Sequence, residues 1–334
     1  VSESRPAPLD RVVAERALRD PRDPALAAAV RRLAGAAGAS LVGLVFFGSR
    51  LSGAARADEW SAYDVFVLVE DYRTFYRAMR EAGLSGKGPG LLSLVSRWLP
   101  PTQYSLGFAA EGVHVKAAVI RQDTFRRETS PRRRDHFVIG RLFQPARLLH
   151  ARDERARRSV LDALAEAVRE TWGWAGPWLP AEFDADAYGR SALRTSMRWE
   201  VRPEPAGRAD ALWEAQRDEQ VPVLASLLRE LELQGEAVAV DGRAGFFRAA
   251  RPPGSLRRFE RSLYFRLSIV RATSRWAKHM VSFEGWLEYI VRKASRHTGE
   301  PIVLSERERR WPWVFLWGRL VRYLRDKNAK GAPR

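Results

Sequence analysis

The chain has 334 residues, 46% of them hydrophobic and 29% charged, and a net charge of +17. That length and apolar share suffice for a buried core and for more than one domain, and the charge favours anionic partners: nucleic acid, phosphorylated substrates or an anionic membrane surface. Cysteine is absent and the five histidines are scattered, which excludes a disulfide framework, thiolate chemistry and a structural zinc site. No apolar run reaches the ~18 residues needed to cross a bilayer, and the charged, proline-containing N-terminus shows no signal-peptide pattern, so the expected location is cytoplasmic with peripheral attachment to a membrane.

Residues 1–23 are charged and carry Pro6, Pro8 and Pro21, which suggests a segment wrapping the surface. Pro24 to Ala37 reads as a helix with Leu26, Val30 and Leu33 on one side and Gly38 as terminator. Leu41 to Asp71 is the stretch with chemistry in it. Val42 to Phe47 is an apolar strand running into Gly48-Ser49, and Tyr63 to Val69 is a second apolar strand carrying one charge, Asp64. Gly48 lets backbone approach a triphosphate, Ser49 and neighbouring N–H groups can donate to it, Arg50 stands next in the turn, and Asp64 is placed to hold a divalent metal bridging phosphates. An ordinary hairpin with a charged surface residue is the competing explanation. A second carboxylate one residue pair away would share Asp64's face, but that position is Ala62. Glu70 shares the face at roughly 20 Å, counting about 3.3 Å per residue. Asp58 and Glu59, on the loop before, are the remaining acids within reach.

Tyr72 to Ala82 reads as a helix buried through Phe75 and Met79, residues 83–90 as a glycine-rich loop with Lys87, and Leu91 to Leu99 as a helix stopped by Pro100-Pro101. Two more strands follow, Tyr104 to Ala109 and Val113 to Ile120. The second puts His114, Lys116 and Ala118 on one face, and Lys116 in an otherwise apolar strand suits a phosphate or Asp64, or else the solvent side of an edge strand. Arg126 to Arg134 reads as a basic loop, leading into Ile139-Gly140-Arg141-Leu142-Phe143-Gln144-Pro145.

Taken in order, Phe46-Phe47-Gly48-Ser49, Tyr63-Asp64-Val65-Phe66-Val67-Leu68-Val69-Glu70-Asp71, Tyr104-Ser105-Leu106, Val115-Lys116-Ala117-Ala118-Val119-Ile120 and Ile139 to Pro145 resemble the mitochondrial-type phosphatidate cytidylyltransferases, the peripheral CDP-diacylglycerol synthases within the nucleotidyltransferase superfamily. The similarity spans Leu41 to Leu149 and weakens towards Glu200; Phe143 and the direct Gln144-Pro145 step depart from that family's Gly-Arg-Leu-Gln-Lys-Pro-like segment. The resemblance implies a Mg²⁺-dependent attack of a phosphatidate phosphate on the α-phosphate of CTP. Gly48 and Ser49 would then hold the triphosphate and Asp64 the metal, Lys116 would pair with phosphate, and Arg141 would do the same or brace a domain interface. In that family the position of Ala62 need not be acidic.

Ala151 to Trp172 reads as a helix, and Asp184 opens another to about Trp199 on which Arg194, Arg198 and Arg202 recur every four residues, a candidate site for a lipid phosphate or simply a solvated basic face. Arg208 to Leu233 is helical with an interruption at Pro222, closed by Gly235. From Leu256 onward aromatic and basic residues interleave. Ser305-Glu306-Arg307-Glu308 forms a capping box expected to start a helix bearing Trp311, Trp313, Trp317, Arg319 and Arg322, suited either to an anionic membrane interface or to core packing with a basic outer face. Nothing in it resembles a named nucleic-acid module, so nucleic acid ranks below lipid as a partner.

The expectation is an α+β protein: a nucleotidyltransferase domain with a mixed sheet over 1–150, a helical domain over 151–245 and a basic, Trp-rich membrane-interface region over 246–334. Its expected activity is CTP:phosphatidate cytidylyltransferase. The alternatives are a nucleotidyltransferase with another acceptor (a different lipid phosphate, a nucleic acid end or a protein) and a non-catalytic nucleotide-binding relative.

Overall fold

Leu41–Phe47 (β1) is buried along its whole length, and so is Tyr63–Val69 (β2) apart from Asp64. A strand apolar on both sides must be covered on both faces, and these two form the centre of a five-stranded sheet. Thr102–Phe108 (β3), Val113–Arg121 (β4) and Ala146–Ala151 (β5) complete it in the order β3-β4-β2-β1-β5. The β2–β4 pair is parallel and the others antiparallel, so the sheet is mixed and the fold α+β as expected. The structure, a computed structural model, describes residues 8–51, 62–108, 112–200, 207–282 and 302–311, together with 287, 291 and 295. Val1–Lys278 and His279–Arg334 are two separate compact units.

One sheet face packs on Pro24–Ala37 (α2), Tyr72–Glu81 (α3) and Pro89–Trp98 (α4), through Leu26, Leu33, Phe75, Tyr76, Met79 and Leu92 against Phe46, Val65, Val67, Val115 and Ala117. Asp23 caps α2 and Asp71 caps α3, each carboxylate accepting a backbone N–H 3.0 Å away. The opposite face carries Val45, Phe47, Phe66, Leu68, Ala118 and Ile120. It meets Leu9–Ala17 (α1), Gln122–Thr129 (α5), Ile139–Leu142 (α6), Glu154–Arg169 (α7), Thr171–Ala175 (α8), Ala185–Arg198 (α9) and Arg208–Leu233 (α10) in one continuous core. A short hairpin, Ala237–Ala239 (β6) with Phe247–Ala249 (β7), precedes the long helix Ser255–Ser282 (α11).

Several expectations are corrected. The N-terminal segment does not merely wrap the surface from Leu9 on: Leu9, Val13 and Ala17 recur every four residues and are buried. Arg16 is buried with them, its guanidinium donating to Gln220 Oε1, and burial pushes its pKa down to about 10. The basic loop expected over 126–134 is helical as far as Thr129. Pro222 does not interrupt α10; the helix runs through it, held by the burial of Val223, Leu224, Leu227 and Leu228 on the following turns. The capping box at Ser305 forms as expected, with Ser305 Oγ accepting from Glu308 N and Glu308 bonding back, but its helix is only Glu306–Arg310 and ends at Trp311, ahead of Pro312. Trp313, Trp317, Arg319 and Arg322 lie outside the described residues.

Candidate nucleotide site at the end of the sheet

The sheet register assembles the first part of the site. Phe47 pairs with Asp64 across the antiparallel β1–β2 ladder, and Asp64 pairs with Lys116 across the parallel β2–β4 ladder. Ser105 of β3 stands opposite Lys116. Neighbouring strands lie about 4.8 Å apart, so Asp64 and Lys116 are side by side, on the face that also carries Phe66 and Ala118. Both are half-buried.

Gly48 follows immediately. Its φ of +93° suits a residue without a side chain, and its carbonyl accepts from Leu51 N at 3.1 Å, closing a tight turn. A Cβ built on Gly48 would lie 3.0 Å from Asp64 Oδ2. Glycine therefore keeps one side of the carboxylate clear, and backbone can come close to whatever the carboxylate holds. Ser49, half-buried, sits in the same turn. Arg50, in the same turn, has its guanidinium 3.9 Å from the centroid of Tyr63, a residue of the opposite core, and Tyr63 donates its hydroxyl to Asp23. Burial first, then Asp23, pushes the Tyr63 phenol up to about 12.

Among the described residues no group of three or more His, Asp or Glu side chains gathers to hold a metal, and Asp58 and Glu59 lie outside them. A carboxylate outside any such group does not make an all-protein cation cage. It does fit Mg²⁺, which is held by one or two carboxylates together with substrate phosphates. Ala62, just ahead of β2, is half-buried and adds no charge.

Arg141 stands one aromatic contact further along the same face. Phe66 meets the edge of Phe137 at 6.4 Å, and the Arg141 guanidinium lies over Phe137 at 3.9 Å while its Nη1 donates to the Phe137 carbonyl at 2.8 Å. Gly140 beside it is required by packing: an added Cβ would meet the His136 ring at 2.7 Å. His136 is buried between Trp174 and Phe265, bonded to Ser196 Oγ at 3.0 Å, and burial, then Arg133 and Arg141, hold it well below the usual imidazole range.

Two arginines of α11 absent from the sequence-based site meet Phe137 and the neighbouring Asp135. Arg275, 1% exposed, places its guanidinium 4.7 Å from the Phe137 centroid and pairs with Asp135, and Arg271 reaches the same Asp135 oxygen at 3.4 Å. Their four-residue spacing was visible in the sequence as one basic side of a helix; nothing local showed that this side faces inward. Lys278, also buried, has its Nζ within hydrogen-bond distance of the carbonyl oxygens of Leu99 and Pro101 and of Thr102 Oγ1.

Arg194 and Arg198 lie on another surface, lining a groove of about 260 Å³ with Trp178, Ser191, Thr195 and Trp199. Arg194 pairs with Asp210 at 2.8 Å, and Arg198 lies 5.9 Å from the Trp199 ring centroid. No helix among the described residues is long and apolar enough to cross a membrane. However, α11 exposes Leu256, Phe259, Leu263, Leu267 and Val270, at helical spacing along one side, between 46% and 69% accessible. Trp311 is 58% exposed.

No family model matches this chain, and no curated protein matches it.

Proposed function

We propose that this chain is a nucleotidyltransferase that transfers the cytidylyl group of CTP to phosphatidate at a membrane face, releasing pyrophosphate. The observation that carries the reading is the juxtaposition of the Gly48 turn, Asp64 and Lys116 on one face at one end of the sheet. In this reading the turn at Gly48 and Ser49 receives the triphosphate through backbone N–H groups, and Lys116 offsets charge on the phosphates. Asp64 would hold Mg²⁺, which supplies charge neutralisation between phosphates when bound. The acceptor phosphate is already an anion, so no strong general base is needed, and the protein contributes position and electrostatics.

Support for a membrane face comes from α11. Its apolar ridge from Leu256 to Val270 is bordered by exposed Arg258 and Arg266, on a chain of net charge +17. Such a surface suits the head-group boundary of an anionic bilayer, with apolar side chains entering and arginines meeting lipid phosphates. The Arg194–Arg198 groove is a further candidate for a lipid phosphate.

The test is pyrophosphate release by the full chain with Mg²⁺ and each of the four nucleoside triphosphates, with and without phosphatidate in anionic vesicles. CTP- and phosphatidate-dependent release, lost in Asp64→Asn, supports the reading. Nucleotide turnover that ignores phosphatidate points to another acceptor. Nucleotide binding without turnover points to a non-catalytic relative.

A further inference from the structure

Phe137 and Asp135 organise an unbalanced set of charges. Arg141 and Arg275 both lie over the Phe137 ring, and Arg271 and Arg275 share one oxygen of Asp135. The other Asp135 oxygen is engaged by Phe137 N at 2.9 Å. Among the described residues two guanidiniums thus share one carboxylate, and a third lies over the ring next to it. Nε and Nη1 of Arg275 are buried and have no hydrogen-bond partner among the described residues. Burying a cation with donors unmet is costly, and nearby like charge makes it costlier, so the cluster is short of one anion. A planar guanidinium presents its donors in a fork that matches phosphate oxygens, and two or three together are suited to a dianion.

Position narrows the choice of anion. Phe137 touches Phe66, and Phe66 lies two residues from Asp64 on the same sheet face. The cluster therefore adjoins the candidate nucleotide site while using residues of α6 and α11 rather than the Gly48 turn. We propose that Arg141, Arg271 and Arg275 form a binding site for a phosphomonoester dianion, the acceptor phosphate of the transfer. Arg141 and Arg271 are half-open at the mouth of the site, and Arg275, 1% exposed, closes its inner side with the unmet Nε and Nη1 donors. The identification of the anion as acceptor rests on the function proposed above; the existence of the site does not.

The experiment is calorimetric titration of the full chain, without nucleotide or metal, with inorganic phosphate, with soluble dihexanoyl phosphatidate and with CTP. Saturable phosphate binding is expected, weakened at least tenfold in Arg141→Gln and in Arg271→Gln and abolished in Arg275→Gln. Asp64→Asn should leave it within twofold. Asp135→Asn removes the internal counter-charge and should tighten it severalfold, an effect that a purely structural cluster would not produce. Circular dichroism and melting curves accompany each variant; if Arg275→Gln does not fold, the two half-buried arginine variants decide. Phosphatidate binding at least tenfold tighter than inorganic phosphate identifies the acceptor, equal affinities leave a free-phosphate site, and CTP binding lost in the arginine variants but kept in Asp64→Asn assigns the site to the triphosphate and overturns the acceptor role. No saturable phosphate binding, or equal binding by wild type and all arginine variants, overturns the site itself. Intact phosphate binding without any cytidylyl transfer would retire the enzymatic reading and leave the site standing.

Discussion

Replacing Gly48 by alanine tests the link between the turn and the carboxylate. Two penalties arise. The backbone at φ +93° lies where an L side chain is strained, costing about 1–2 kcal/mol. The new Cβ would also sit 3.0 Å from Asp64 Oδ2 and 3.4 Å from Asp64 Cβ, and this crowding adds about 1 kcal/mol or displaces the carboxylate. The expected total is therefore about 2–3 kcal/mol in urea unfolding at 25 °C. Gly83 provides the control, since its φ is +69° and an added Cβ there meets nothing within 4 Å, so Gly83→Ala should show the backbone penalty alone. A double-mutant cycle isolates the contact: Gly48→Ala combined with Asp64→Ala should be less destabilised than the sum by about 1 kcal/mol, because the carboxylate oxygen at 3.0 Å is gone and only Cβ, at ordinary contact distance, remains. Pyrophosphate release should fall at least tenfold in Gly48→Ala and stay near wild type in Gly83→Ala. Equal stability losses in the two glycine variants, with no coupling to Asp64, would refute the reasoning.

Burial, then Arg275, pushes the Lys278 ammonium down to about 6 from 10.5, so between those values the unfolded chain holds a proton that the folded protein has released. Stability should then rise with pH across that window by about 1.4 kcal/mol per unit relative to Lys278→Met, and parallel urea curves for the two proteins at pH 7, 8 and 9 would show the ammonium is retained. Gly189→Ala places a Cβ 2.0 Å from Trp213 Cη2 and 2.6 Å from Leu224 Cδ1, wedging α9 from α10. A loss of about 3 kcal/mol or more in denaturant unfolding is expected, and a loss under about 0.5 kcal/mol would mean that the pair is not packed this way. Ala62→Asp should strengthen Mg²⁺ binding and turnover if a second carboxylate is useful beside Asp64; lower activity in metal titrations sinks that idea. Leu263→Glu with Leu267→Glu, both on the exposed ridge of α11, should leave melting unchanged and cut co-sedimentation with anionic vesicles at least tenfold, and undiminished binding would place the membrane contact elsewhere.

The sequence alone settled what depends on near neighbours. Apolar runs fixed β1 and β2, Pro24 marked the start of α2, and the capping box at Ser305 formed where its spacing required. It also singled out Gly48, Asp64 and Lys116, because a turn glycine and charges inside apolar strands stand out locally. The tertiary structure decided what depends on register and on distant packing. Only the parallel pairing of β2 with β4 brings Lys116 beside Asp64, since a strand's own pattern fixes its faces but not its neighbour. Burial of α1 and the unbroken run of α10 through Pro222 likewise reflect a core contributed by remote segments, against which local charge and propensity are small terms. The sequence placed the arginines of α11 in a basic membrane-interface region, and only packing against Phe137 and Asp135 separates Arg271 and Arg275 from the exposed ridge of Leu256 to Val270.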